Sequence, residues 1–202
     1  MMKTQIKDNI RFLLNLLFRG NNFLSLYLKG HENRAILRSF GKSNSFYSCR
    51  FVISGGGVEI GSRGSFRCLY IYSGMGCTVR IGNKVTVNAY KQSPAIINAY
   101  ERANINIGDE CLFSNGVELH TSDYHSLMQN GVRYNRSSDI EVGKHTWLGL
   151  RTVVLKGIII APDTVVAACS VVTNSIYESN MLIAGSPAKV VKENIEWNIN
   201  RL

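Results

Sequence analysis

Two histidines five residues apart, with a serine and an aspartate between them, stand in the stretch ELHTSDYHSL (residues 118–127) of a chain that holds only four histidines. Three uses suit such a set. Two imidazoles can share a metal ion. A neutral imidazole can take a proton from a reacting hydroxyl while a nearby carboxylate fixes its tautomer. The same residues can also be polar surface on a loop. Zinc catalysis generally requires three protein ligands and an open position. Upstream of this stretch only His31 is available, and His145 lies downstream, so no metal is expected. A general base, with His125 two residues after Asp123 as the candidate and His120 as its rival, and a polar surface loop both stay open at this point.

What positions these groups is legible as a period of six. From Val142 the chain divides into VGKHTW, LGLRTV, VLKGII, IAPDTV, VAACSV and VTNSIY. The first position is aliphatic throughout (Val142, Leu148, Val154, Ile160, Val166, Val172), the second mostly small, the fifth short or β-branched. Ile60-Gly61, Ile81-Gly82 leading to Val87, and Ile107-Gly108 leading to Phe113 and Leu119 are weaker copies. Six matches neither the period of a helix nor that of a strand. It suits a chain that runs straight briefly and then turns a corner, three sides closing a triangular coil. One aliphatic residue per side then points to the axis, with small residues where the chain bends tightly. Such coils stack at about 4.8 Å through backbone hydrogen bonds, and their exposed end coils need caps.

The phase also locates the histidines. Ile107, Phe113 and Leu119 are in step, but the separation from Leu119 to Val142 is not a multiple of six. The chain is therefore expected to leave the coil over residues 121–139, with His120 at the root of the excursion and His125 within it. Loops held on a rigid scaffold are common carriers of catalytic groups. Trp147 fills a position that is Val153, Ile159, Val165 or Val171 elsewhere, so its indole is a candidate contact surface as well as a candidate filler.

Composition narrows the class. Hydrophobic content of 45% and charged content of 18% fit a folded chain. Five cysteines without CxxC spacing read as free, mostly buried thiols in a reducing, cytoplasmic compartment, Cys111 and Cys169 among the buried ones. The first fifty residues hold nine Lys/Arg against two acids, +7 of the formal +9. Their apolar run IRFLLNLLFRGNNFLSLYLKG is broken by Asn15, Arg19 and Gly20. It falls short of the roughly 20 apolar residues of a membrane span, and no signal-peptide cleavage pattern follows. The expected organisation is a basic helical segment over 1–50, a β-helix over 51–185 and a C-terminal cap over 186–202. A basic amphipathic segment packs on its own protein or a neighbouring subunit, or meets an anionic surface. That surface is either an acidic glycan or the cytoplasmic face of the membrane, touched peripherally. No nucleic-acid-binding motif accompanies the charge, so nucleic acid is not an expected partner.

WLGLRTVVLKGIIIAPDTVVAACSVVTNSI followed by AGSPAKVVK resembles the C-terminal coils of the hexapeptide-repeat acyltransferases, closest to their polysaccharide, xenobiotic and galactoside O-acetyltransferases. Thr121-Ser122-Asp123-Tyr124-His125-Ser126-Leu127 and Gly143-Lys144-His145-Thr146-Trp147-Leu148-Gly149 match that group's motifs before and after its loop. The resemblance implies a mainly β fold, a left-handed parallel β-helix, assembled as a homotrimer with acetyl-CoA between neighbouring subunits. It also implies His125 as general base, assisted by Asp123, and Trp147 beside a carbohydrate acceptor. Leu150, Ala167, Ala168, Thr173, Asn174 and Lys192 are implied along the CoA groove. The reaction expected is direct transfer of acetyl to a sugar hydroxyl of a bacterial surface polysaccharide or its precursor. Transfer to a soluble galactoside, xenobiotic or amino sugar, and a non-catalytic scaffold, are the alternatives.

Overall fold

A computed structural model of the chain describes residues 22–23, 26–31 and 37–200, with side chains described from residue 41 onward. Its strands form three sheets of nine, seven and six strands, parallel except for the terminal strand, that the chain visits in rotation as far as Val171–Val172, plus one small antiparallel pair. We name them the first, second and third faces of a three-sided parallel β-helix. One turn runs from Ile140–Val142 on the third face to Trp147–Leu148 on the first, Val153–Val154 on the second and Ile159–Ile160 back on the third.

The aliphatic first position of each hexad explains the closure. On the first face Phe46, Phe66, Val87, Phe113, Leu148, Val166 and Ile183 lie in register from strand to strand. On the second face Phe51, Ile71, Ile97, Leu119, Val154 and Val172 do the same. On the third, Ile60, Ile81, Ile107, Val142 and Ile160 complete the interior. All these side chains are buried, and burying each contributes about 1.5–3 kcal/mol. The fifth position also turns inward. The buried Thr146 and Thr152 hydroxyls donate to Gly143 O at 2.8 Å and Gly149 O at 2.9 Å, so neither is left unsatisfied.

The Ile-Gly repeats have a separate cause. Gly41, Gly61, Gly82, Gly108 and Gly143 stack at the corner from the third face to the first. A Cβ at Gly108 would lie 2.5 Å from Lys144 N, and one at Gly143 2.5 Å from Pro162 N. The fourth hexad position sets the corner itself: His145, Arg151, Gly157, Asp163 and Cys169 all have positive φ. This corrects one expectation. Cys169 is exposed at its corner, while Cys49, Cys68, Cys77 and Cys111 are buried.

A second correction concerns the N-terminal region. Asn22–Phe23, Leu26–His31, Leu37–Phe40, Ser45–Tyr47 and Cys49–Ser54 are strands that extend the three faces. The helical expectation therefore fails from residue 22 to 50 wherever the structure describes the chain. Leu26 and Leu28 alternate with Tyr27 and Lys29, the period of a strand, and Leu28 pairs with Phe51. The part of that expectation falling on residues 1–21 lies outside the described residues. No helix among the described residues is long and apolar enough to cross a membrane. At the other end, Leu182–Gly185 continues the first face and Ala188–Lys192 pairs with it antiparallel.

Between Glu118–His120 on the second face and Ile140–Val142 on the third, the chain leaves the sheets. The excursion carries one short antiparallel pair, Met128–Gln129 with Val132–Arg133. It is tied back at several points. Arg133 meets Glu101 through two parallel bonds of 2.9 Å, and the Ser137 hydroxyl donates to the same carboxylate at 2.6 Å. Asn104 N donates to Asp139 Oδ1 at 2.8 Å, and Ser138 N to Thr121 O at 3.1 Å. Inside the excursion the Asn135 side chain is buried and organises the rest. Its Oδ1 accepts Leu127 N at 2.7 Å, and its Nδ2 donates to His125 O and Asp123 Oδ2 at 2.8 Å each.

Two measurements test this architecture. Phe113→Ala, which opens a cavity in a fully buried column, is expected to destabilise the chain by about 3–5 kcal/mol in denaturant titration. The second concerns pH. Hydrogen bonds from Arg133, then Ser137, pull the Glu101 carboxyl down from 4.5 to about 2. A carboxyl lowered in the folded state contributes stability that is present above its ordinary value and lost as pH falls through the lowered one. Amide exchange over residues 121–139 should therefore be slower in the wild type than in Arg133→Ala at pH 5. That difference should close between about 4.5 and 2. A difference unchanged at pH 2 would contradict the anchor.

Candidate active site

The two histidines occupy different settings. His120 ends the strand Glu118–His120 and pairs in register with Asn98, which pairs with Tyr72. Leu119 points into the core, so Glu118 and His120 point outward on the second face. Both His120 ring nitrogens are engaged: Nε2 lies 2.9 Å from Glu118 Oε2, and Nδ1 2.8 Å from the Tyr124 hydroxyl. Asn98 Nδ2 adds a longer contact of 3.4 Å to Nδ1.

His125 sits on a turn. His125 N donates to Asp123 O at 2.7 Å, closing a three-residue ring around Tyr124, whose φ is 63°. A γ-turn with positive φ at its centre is rare and strained, and a bulky residue held there costs roughly 1–3 kcal/mol. The surroundings hold it. Tyr124 N donates to Ser122 Oγ at 3.1 Å, and the Tyr124 ring meets Tyr100 edge-on at 4.9 Å. Tyr100 in turn stacks on Tyr72 at 4.4 Å, and burial pushes its phenol up to about 12. The His125 side chain itself is exposed, and its ring makes no hydrogen bond among the described residues.

Asp123 does not reach the His125 ring through a hydrogen bond. Its carboxylate receives Lys156 Nζ and, at 2.8 Å, Asn135 Nδ2. These bonds, Lys156 first, hold the Asp123 carboxyl below its ordinary range. Lys156 comes from the next coil and also reaches Asn135 O at 3.3 Å. The sequence places Asp123 at His125 by spacing; the fold uses it as an anchor of the loop. Asn135 and Lys156, distant along the chain, carried no signal beyond residue type. Among the described residues no group of three His, Cys, Asp or Glu is placed to hold a metal ion.

Trp147 projects from the first face, paired in register with Leu112 and Val165, and its Nε1–H donates to Ser114 Oγ at 3.1 Å. The chain's other tryptophan, Trp197, lies 5.8 Å from it, stacks on His145 at 4.2 Å and donates to His145 O at 2.9 Å. His145 Nδ1 meets Asp163 Oδ1 at 2.9 Å, so this histidine belongs to a packed corner. A hollow of about 460 Å³ on the third face, beside Arg80, Ile159 and Tyr177, is lined by neither histidine of the loop.

The structure gathers the remaining predicted residues at two edges and one end. Leu150, Ala167 and Ala168 sit together at the corner between the first and second faces, where Cys169 N donates to Leu150 O at 2.7 Å. Leu150 and Ala168 are exposed and Ala167 is half-buried. Thr173 and Asn174 are exposed beyond the second face, just after Val171–Val172. Lys192 is exposed at the end of the terminal strand. Burial raises the Cys111 thiol to about 12, which removes it as a nucleophile.

No family model matches the chain. It is 33% identical over 193 residues to the polysialic acid O-acetyltransferase of Neisseria meningitidis, across 88% of this chain and 86% of that protein. It is 30% identical to the galactoside O-acetyltransferase of Escherichia coli K12, across 61% of this chain and 58% of that one. Among solved structures, the polySia specific acetyltransferase NeuO matches with a TM-score of 0.69 at 26% identity, across 90% of this chain and 86% of that one. The polysialic acid O-acetyltransferase OatWY matches with a TM-score of 0.67 at 26% identity, across 90% and 92%. With sequence agreement along nearly its whole length and three parallel faces wound on a six-residue repeat, the chain belongs to the hexapeptide-repeat O-acetyltransferase family of acyltransferases.

Proposed function

We propose that the chain transfers acetyl from acetyl-CoA to a sugar hydroxyl of a bacterial surface polysaccharide or its precursor, with His125 as general base. Near-full-length similarity to an enzyme named for polysialic acid O-acetylation supports the acceptor class. The +7 formal charge of the first fifty residues suits a polyanionic acceptor or an anionic membrane face. The observation that carries the mechanism is the contrast between the loop's two histidines. His120 has both ring nitrogens engaged, whereas the ring of His125 is exposed on a pinned turn.

In this reading the neutral His125 ring accepts the acceptor's hydroxyl proton as the oxygen attacks the thioester carbonyl. The tetrahedral intermediate collapses with loss of the CoA thiolate, which takes the proton back from the imidazolium. Lys156 and Asn135 keep Asp123 ionised and the turn in place. Ala167 and Ala168 offer a small-residue edge for the pantetheine arm beside Leu150, Thr173 and Asn174 flank it, and Lys192 offers a cation for the nucleotide phosphates. Trp147 supplies an apolar surface for the sugar.

His125 lies beyond the second face and Trp147 on the first, with no contact between them among the described residues. A site that uses both is completed by a neighbouring copy. The homotrimer of left-handed coils that the family resemblance implies, with acetyl-CoA between subunits, supplies such a copy.

His125→Ala should lower kcat by roughly 10²–10⁴ while acetyl-CoA affinity is retained, read by release of free CoA thiol with a panel of polysialic acid, neutral oligosaccharides and simple galactosides. Trp147→Ala should chiefly weaken the acceptor, raising its KM. Full activity of His125→Ala would overturn the base assignment, and best turnover with the simple galactosides would overturn the acceptor class.

A further inference from the structure

His120 leads beyond this reading. A carboxylate only accepts hydrogen bonds, so the contact to Glu118 places the proton on His120 Nε2. In the neutral ring Nδ1 is then an acceptor, and the Tyr124 hydroxyl donates to it. Glu118 and His120 stand on a strand of the rigid coil. Tyr124 is the centre of the strained turn and immediately precedes His125, so its backbone angles determine where the His125 ring is carried. Partial burial raises the Tyr124 phenol above its ordinary range. The turn is thus gripped from two sides. Asn135 and Lys156 hold Asp123 and the His125 carbonyl, and His120 holds Tyr124.

We propose that Glu118, His120 and Tyr124 form a positioning chain that acts through His125: the scaffold carboxylate orients His120, and His120 holds Tyr124 in the turn that aims the base at the acceptor. The proposal rests on His125 as base. It gives His120 a role other than proton abstraction and explains a second histidine at the root of the loop. Without the hydroxyl, Tyr124 is free to leave the left-handed region and His125 moves with it. Small displacements of a catalytic group cost up to about a hundredfold in rate.

The test compares Tyr124→Phe, His120→Gln and His120→Ala, and repeats Tyr124→Phe in the His125→Ala background. Tyr124→Phe keeps the ring packed on Tyr100 and removes only the hydroxyl. It should lower kcat roughly ten- to a hundredfold, with the KM for acetyl-CoA and the thermal midpoint unchanged. His120→Ala should lose as much. His120→Gln, whose amide can donate to Glu118 and accept from Tyr124, should recover most of the rate, a rescue that loss of general loop stability does not predict. In the His125→Ala background Tyr124→Phe should do nothing further, because contacts that act through one group are not additive. Wild-type kcat in Tyr124→Phe beside an inactive His125→Ala overturns the positioning role alone. Equal losses in both backgrounds also overturn it. A fully active His125→Ala overturns the base and the positioning chain together.

Discussion

The structure depends on the parallel backbone ladder that joins each coil to the next. Because successive coils bond in register, a side chain's column follows from its place in the repeat. Leu148 must stand over Phe113 and under Val166, and Leu119 over Ile97 and under Val154. The interior fills because every inward column is apolar. The corners close because glycines stack where coils approach to within 2.5 Å of a would-be Cβ. Outward columns inherit the same order, which is how Tyr72, Asn98 and His120 come to lie in one line.

Against this regular frame the excursion over 121–139 is the one large irregularity among the described coils, and it is built with polar bonds instead of apolar burial. A buried amide is costly unless its donors and acceptors are all used. Asn135 meets that condition with bonds to Asp123, His125 and Leu127. The anchors converge on the γ-turn at Tyr124, so the strain of that turn is offset by its neighbours and the proposed base is carried on a pinned backbone. The two histidines differ by setting and not by residue type. One is bonded at both nitrogens, and the other is presented.

Much of this frame can be read from the sequence, and the reasons are particular. From Val142 onward a turn is three hexads, 18 residues from Leu148 to Val166, so aliphatic positions repeat without interruption. Earlier turns have longer corners: 20 residues separate Phe46 from Phe66, and 26 separate Val87 from Phe113. Their phase is blurred, and phenylalanines fill the interior. The strands before residue 50 were hidden by a leucine-rich run whose spacing also suits a helix, and pairing with the coil decides between the two. Cys169 looked buried because its hexad is apolar, but its fourth position is the corner. Two-residue spacing brought Asp123 near His125 in sequence, and the turn between them, with Lys156 arriving from another coil, directs the carboxylate elsewhere. Contacts of that kind are set by tertiary approach and leave no local pattern.

The proposed site joins a base beyond the second face to an indole on the first, and we propose that two copies of the chain complete it. The most direct test is to co-express His125→Ala with Trp147→Ala under separate tags, purify the mixed oligomer and measure acetyl transfer. At acceptor concentrations well below the raised KM of Trp147→Ala, the account predicts that the mixture recovers a substantial share of wild-type activity that neither variant shows alone, since some sites then combine His125 from one copy with Trp147 from another. A mixed oligomer no more active than its parents under those conditions would contradict a shared site.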